Sequence, residues 1–312
     1  MNGEARSGPG RASETPWSHG MVSVTIGLPV YNGADYLEQA LASLLAQSMR
    51  DIQFLISDNA STDATPDILA KWMAKDSRIK YRRQPQNIGA SANFNWVLDN
   101  AGSQWFAFAA HDDLWSPNFV ESLFHTITAK PGLVLAVPQV VTMFEDRRED
   151  ARRPVPEEMT TGSRVDLIRR ALQEVCGGWF YGLWNRQTLI SAFQQTRNFT
   201  HVFGADLLIL LPPILSGAIA GSNKAIFYER LTTLSVQRYR PKTAKGEYVF
   251  YCDFLKECLK ALKAAPLSQT EKFLVLPSVL RHVRRGIPLR SILKNAVREA
   301  LDVLRVKKRK CA

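Results

Sequence analysis

Two adjacent carboxylates, Asp112 and Asp113, end the apolar run WFAFAA that begins at Trp105. Side chains alternate across a strand, so neighbouring acids cannot share one buried face and belong where the strand leaves its sheet. Open α/β sheets bind ligands outside the carboxyl ends of their strands. Hard oxygen donors at such an edge suit Mg²⁺ or Mn²⁺ carrying a diphosphate, and a solvated loop is the plain alternative. Asp58 ends a second apolar run, Ile52 to Ser57, in the same way, where a ribose or base edge could be gripped. Ser61, Thr62 and Asp63 beyond it read as caps of the next helix. Asp206 precedes the run LLILL and is by default a partner of a helix N-terminus.

The elements that must position these acids alternate. Val22 to Val30 is β-branched and apolar, as a central parallel strand should be. An amphipathic helix follows from about Ala34 to Gln47, with Leu37, Leu41, Leu44 and Leu45 facing inward. Then come the strand ending in Asp58, a helix from about Thr65 to Lys75, and a short strand from Ile79 to Gln84. This order predicts an α/β fold with a mostly parallel central sheet flanked by helices. The turn through Asn87 and Gly89 could offer amides to an anion beside Arg82 or Arg83, or be only a turn. Leu133 to Phe144 reads as a strand, Glu145 to Glu158 as an exposed loop, and Ser163 as the cap of a helix through Glu174. Glycines and aromatics interleave from Cys176 to Trp184, suiting either sugar stacking in an acceptor cleft or the packing of helices onto the sheet. Pro212-Pro213 should kink or break the helix after Asp206.

The chain has 312 residues, 46% of them hydrophobic, enough for one large α/β domain with an extension. Its four cysteines have neither metal nor disulfide-framework spacing, which points to a reducing cytoplasm. Residues 1–20 are rich in Gly, Ser, Pro and Arg and read as a disordered leader. The net charge is +11, much of it after residue 280. There, helices expected over 247–263, 269–283 and 288–305 carry Arg and Lys beside Ile, Leu and Val. That pattern suits an anionic membrane surface, and no nucleic-acid module accompanies it. The stretch from Leu207 to Gly221 is too short and too proline-rich to span a bilayer comfortably.

The ordered blocks LPVYNGADYL, SDNASTD, Asn87-Ile88-Gly89 and HDDLW resemble the family 2 glycosyltransferases across roughly residues 22–240. The resemblance implies a GT-A nucleotide-sugar fold over 21–240, followed by a basic helical extension over 241–312. It implies nucleotide-sugar contacts from Pro29, Tyr31, Asn32, Asp58, Asn87, Gly89 and Asp112, and a divalent metal (Mg²⁺ or Mn²⁺) held by Asp113 with Asp112. His111 stands where a further acid is common in that family. Asp206, before a Leu-rich helix and Gly217, matches the family's catalytic base, and Arg238 or Arg240 a basic segment that closes over the diphosphate. The implied reaction is inverting transfer from a nucleotide-diphosphate sugar, UDP-linked in the first place, to the hydroxyl of a glycan or lipid-linked acceptor in envelope or polysaccharide assembly. Two alternatives stay open: a non-catalytic nucleotide-sugar-binding scaffold at a membrane, and a sugar-phosphate nucleotidyltransferase. The latter would want a Gly-rich basic loop after the first strand, which Pro29 to Gly33 is not.

Overall fold

The computed structural model describes residues 22–144, 148–149, 162–231, 239–286 and 288–298. The proposed leader lies outside them. Three parallel strands form one half of the sheet: β1 (Val24–Val30), β2 (Ile52–Asp58) and β3 (Ile79–Arg83). Helices α1 (Ala34–Leu45) and α2 (Thr65–Met73) connect them. All seven residues of β1 are buried, and so are Leu37, Leu41, Leu44 and Leu45 of α1. Burial on both faces is why the first strand lacks a polar alternation.

Helix α3 (Ala90–Asn100) returns the chain to β4 (Trp105–Phe108), which runs parallel to β1 on the side away from β2. Beyond β4 the sheet becomes mixed, and much of that half lies beyond what hydrophobic patterning indicates. Two- and three-residue strands, β5 (Leu114–Trp115) and β8 (Leu183–Asn185), complete it with β6 (Leu135–Phe144) and β9 (Ile219–Leu231). The full order is β3-β2-β1-β4-β8-β6-β9-β5. β5 follows β4 closely in the chain yet pairs antiparallel with β9 at the far end of the order. The second half of the sheet therefore curls back toward the carboxyl end of β4. A two-residue strand, β7 (Arg148–Glu149), pairs antiparallel with β6, so these two residues of the expected 145–158 loop are strand; 145–147 and 150–158 lie outside the described residues.

Helix α4 (Phe119–Thr128) covers β6 and β9, and α5 (Arg164–Glu174) begins at Ser163 in a reciprocal capping box with Asp166, as the sequence suggests. A single 3₁₀ turn (Gly177–Tyr181) and α6 (Arg186–Thr196) lead to α7 (Ala205–Leu215). Pro212 and Pro213 do not break α7. They occupy its last turn, where only two amides are lost and Ser216 and Ala218 still donate to the Pro212 and Pro213 carbonyls. Trp179 and Trp184 are entirely core, Trp184 Nε1 donating to the Phe180 carbonyl at 2.9 Å. Packing, not ligand stacking, is what these two indoles do.

Helices α8 (Ala244–Ala264) and α9 (Gln269–Gly286) pack on α7 and α5, and Phe250, Phe254, Val275 and Val279 join the same core as the sheet. Residues 289–298 are helical, and 299–312 lie outside the described residues. No helix among the described residues is long and apolar enough to cross a membrane. His282 of α9 is 3% exposed, its ring centroid 5.7 Å from that of Phe254, and Nε2 has no hydrogen-bond partner among the described residues. Burial, with Arg285 nearby, pushes its pKa down to about 4. The unfolded chain, with an ordinary His near 6.5, therefore binds the extra proton between these values. Stability should be complete above about pH 6.5 and fall by up to about 3 kcal/mol as the pH drops to 4. Urea denaturation of the wild type and His282→Leu across this range should show a shallower pH slope in the variant; equal slopes would contradict the assignment.

Candidate active site

The carboxyl ends of the parallel strands carry a dense polar network. Val30, Asp58 and Arg83 are register partners at the tips of β1, β2 and β3. Asp58 is fully buried: one oxygen accepts from the Ser61 amide at 2.8 Å, the other from Tyr81 Oη at 3.1 Å and Arg83 Nη1 at 2.9 Å. Arg83 also donates to the Ser61 carbonyl, which fixes the loop that follows β2.

That loop caps α1. Amides of Asn32, Gly33 and Ala34 donate to the side chains of Ser61, Thr65 and Asp63 at 2.9 to 3.0 Å. Helix α1 has no capping side chain of its own, since Gly33 occupies its N-cap. The N-terminal amides of a helix need acceptors, and here a neighbouring loop supplies them. Asp63 also takes the Thr65 amide. Desolvation raises its pKa, yet the hydrogen bonds from Ala34 and Thr65 outweigh this and leave it lowered. The expectation that Ser61, Thr62 and Asp63 cap the following helix holds for Asp63, which takes the Thr65 amide at the start of α2 as well as the Ala34 amide of α1. It is corrected for the other two: Ser61 serves the preceding helix, and Thr62 donates its amide to Asn32 Oδ1 at 2.8 Å.

Asn59, unremarked in the sequence, holds the third loop. It is 2% exposed, donates to Asn87 Oδ1 at 3.0 Å and accepts from the Ile88 amide at 2.8 Å. Asn87 and Gly89 are therefore loop-forming, Asn87 Oδ1 also taking the Gly89 amide at 2.8 Å. Tyr31 is 44% exposed at the end of β1, whereas Pro29 is buried within it.

Asp113 sits at the carboxyl end of β4, only 5% exposed. One oxygen accepts from the Arg230 amide at 2.8 Å, while Arg230 Nε donates to the Asp112 carbonyl at 2.8 Å. The Arg230 guanidinium continues to Gln39 Oε1 at 3.0 Å and over the Tyr36 ring at 4.5 Å. β9 thereby clamps the acidic pair against α1. Burial above all, then the adjacent Asp112 and Glu229, pushes the Asp113 carboxyl well above the usual range despite the Arg230 amide. His111 packs on the β1–α1 turn, so close that a Cβ on Gly33 would stand 2.7 Å from its ring.

Asp206, in the first turn of α7, faces the same space from the opposite wall. Burial raises its pKa, opposed by the amides of Leu207 and Asp206 itself. Gly177 touches it so closely that an added methyl would overlap Oδ2. Between the two walls stands Tyr181, its ring stacked 4.9 Å from Phe227 and edge-on to Phe180 at 5.4 Å. Burial first, then Asp113, Asp112, Asp206 and Glu229, pushes its phenol well above the ordinary value. These groups line one cleft of about 1000 Å³, with Arg230 and Tyr239 at its edge.

The structure thus gathers Asp112, Asp113 and Asp206 and leaves Pro29, Tyr31, Asn32, Asp58, Asn87 and Gly89 in the adjoining network, outside the lining of this cleft. Tyr181, Glu229 and Arg230 complete the cleft without any motif to announce them. Arg238 lies outside the described residues. Arg240 pairs with buried Glu247 at 3.5 Å instead of entering the cleft.

Asp112 and Asp113 fit a hard divalent cation: they offer carboxylate oxygens, and their crowding is relieved by positive charge. No cluster of three or more His, Cys, Asp or Glu ligands occurs among the described residues. Mg²⁺-type sites commonly rely on one or two carboxylates plus phosphate oxygens and water.

The fold is shared with solved structures of proteins in complex with nucleotide sugars. Residues 1–349 of TarS from S. aureus, in complex with UDP-GlcNAc, match 84% of this chain and 73% of theirs, with a TM-score of 0.65 and 15% identity. The mannosyltransferase PcManGT from Pyrobaculum calidifontis, in complex with GDP-Man and Mn²⁺, matches 91% of this chain and 81% of its own at TM-score 0.52 and 16% identity. Residues 25–194, over half the chain, match the model of glycosyl transferase family 2, and the chain belongs to that family. Among curated relatives, EpsH of Bacillus subtilis is 26% identical over 170 residues, covering 54% of this chain and 48% of EpsH. TuaG of the same organism, named for teichuronic acid biosynthesis, is 36% identical over 98 residues, covering 31% of this chain and 39% of TuaG. The matches span less than half the length of either relative.

Removing the Asn59 side chain would leave the Ile88 amide without its acceptor and free Asn87. Asn59→Ala should lower unfolding stability by about 1–3 kcal/mol in urea denaturation. An unchanged midpoint would mean the loop is held by other contacts.

Proposed function

We propose that this chain transfers a sugar from a nucleotide-diphosphate donor to an acceptor hydroxyl with inversion at the anomeric carbon. The observation that carries it is the convergence of Asp206 and the Asp112–Asp113 pair on one cleft from separate elements. A UDP-sugar is the first candidate donor, supported by the likeness to TarS with UDP-GlcNAc. The acceptor would be a growing glycan or a lipid-linked one, met at the cytoplasmic face of a membrane. The name of TuaG supports glycan assembly as the setting.

Asp206 would remove the proton of the attacking hydroxyl. Its raised pKa makes it a better proton acceptor than a free carboxylate. The hydroxyl oxygen then forms its bond to the anomeric carbon as the bond to the diphosphate oxygen breaks on the opposite face. A divalent cation held by Asp112 and Asp113 supplies, when bound, charge neutralisation for the departing diphosphate. Tyr181, rigid between Phe227 and Phe180, offers a fixed hydrogen-bond donor between these centres. Asp58, Asn32 and the Asn87–Gly89 loop would shape the nucleoside end, with Tyr31 exposed for stacking and Arg238 closing over the diphosphate.

Nucleotide-diphosphate release from UDP-, GDP- and dTDP-sugars, with Mn²⁺ or EDTA and a membrane lipid extract as acceptor source, tests this. Asp206→Asn should lower kcat by roughly 10²–10⁴ with donor KM little changed, as loss of a general base does. Gly177→Ala should also lower kcat, because its methyl displaces the Asp206 carboxylate. Metal-independent release, or full activity in Asp206→Asn, would overturn the mechanism.

A further inference from the structure

The helical stretch 289–298 shows three faces with different company. Successive residues are offset by about 100° around a helix. Ser291, Ile292 and Asn295 face the protein: Asn295 Nδ2 donates to Glu247 Oε2 at 2.8 Å, Ser291 Oγ to Glu247 Oε1 at 3.2 Å, and Ile292 packs on the core. Leu289, Leu293 and Val297 form a second stripe, exposed at 46%, 67% and 60%. Arg290, Lys294 and Arg298 form a third, each one position after an exposed apolar residue and each exposed. No acidic residue occurs in 288–298.

A helix that only solubilised the chain end would not spend its outward positions on leucine and valine. We infer that this helix docks on an anionic phospholipid bilayer, its apolar stripe entering the acyl boundary and its basic stripe meeting the headgroups. An apolar stripe bordered by cations is the composition of an interfacial helix. A second copy of this chain is the weaker occupant, because it would bring the same cationic stripe against itself.

The helix is also tied to the cleft. Glu247, 2% exposed, holds Ser291 and Asn295 on one side and Arg240 Nη2 at 3.5 Å on the other. Tyr239, one residue before Arg240, lines the cleft. A buried carboxylate with three partners is a rigid join, so a docked helix would hold the cleft's edge at a fixed place relative to the bilayer. This deepens the proposal of a membrane-presented acceptor and rests on it only for its biological setting.

Co-sedimentation of the full chain with vesicles needs neither donor nor turnover, so its outcome is separate from that of the transferase assay. Vesicles of phosphatidylcholine with a minority of phosphatidylglycerol should bind the protein at low salt, and phosphatidylcholine alone should not. Lys294→Glu with Arg298→Glu should weaken binding on the order of tenfold or more. Leu293→Ser should weaken it too, although no charge changes. All three positions are exposed, and unchanged circular dichroism would verify the fold. Equal binding to both vesicle types, binding indifferent to these substitutions, or a dimer in light scattering that Leu293→Ser dissolves would each overturn the inference.

Discussion

Two neighbouring carboxylates cannot be buried together without something to hold and offset them, and this constraint organises the cleft. Asp113 is nearly inaccessible to water, beside Asp112 and within reach of Glu229. Its only described hydrogen-bond donor is the Arg230 amide, from the strand that curls back over the tip of β4. The Arg230 side chain continues the clamp to Asp112, Gln39 and Tyr36. A buried charge without full compensation is costly, and native structures retain such sites where a ligand completes them. The unusual pairing of β5 with β9 makes sense in those terms, since it brings the Arg230 amide to Asp113.

Around this centre, the two halves of the sheet do different work. The parallel half ends in loops whose polar side chains mostly bind one another: Asp58 with Tyr81 and Arg83, Asn59 with Asn87, and Asp63 with the start of α1. Such a network preorganises a surface before anything binds, which lowers the ordering cost of association. The mixed half supplies the groups facing the opposite wall, Asp206 against Gly177 and Tyr181 against Phe227.

Much of the parallel half was legible in the sequence, because its strands are continuous apolar runs and its helices amphipathic. Asp112, Asp113 and Asp206 stood out for a related reason: acids bordering apolar segments are conspicuous. The mixed half was not legible. β5 and β8 are two and three residues long, too short for any periodicity to register. Nor could spacing reveal that Ser61 and Asp63 cap the helix before them, since a capping oxygen from a distant loop leaves no local signature. Tyr181 was visible only as one aromatic among several in a Gly-rich stretch, and its place beside three aspartates depends on the 3₁₀ turn that carries it.

In the proposed reaction the carboxylates have different tasks, Asp113 in metal-assisted diphosphate binding and Asp206 in proton transfer. Calorimetric titration of UDP into the full chain, with and without Mn²⁺, tests this division most directly in wild type, Asp113→Asn and Asp206→Asn. The wild type should bind UDP on the order of tenfold more tightly with Mn²⁺, Asp113→Asn should lose that gain, and Asp206→Asn should keep it. Metal-independent UDP binding in the wild type, or an equal loss in both variants, would contradict the division.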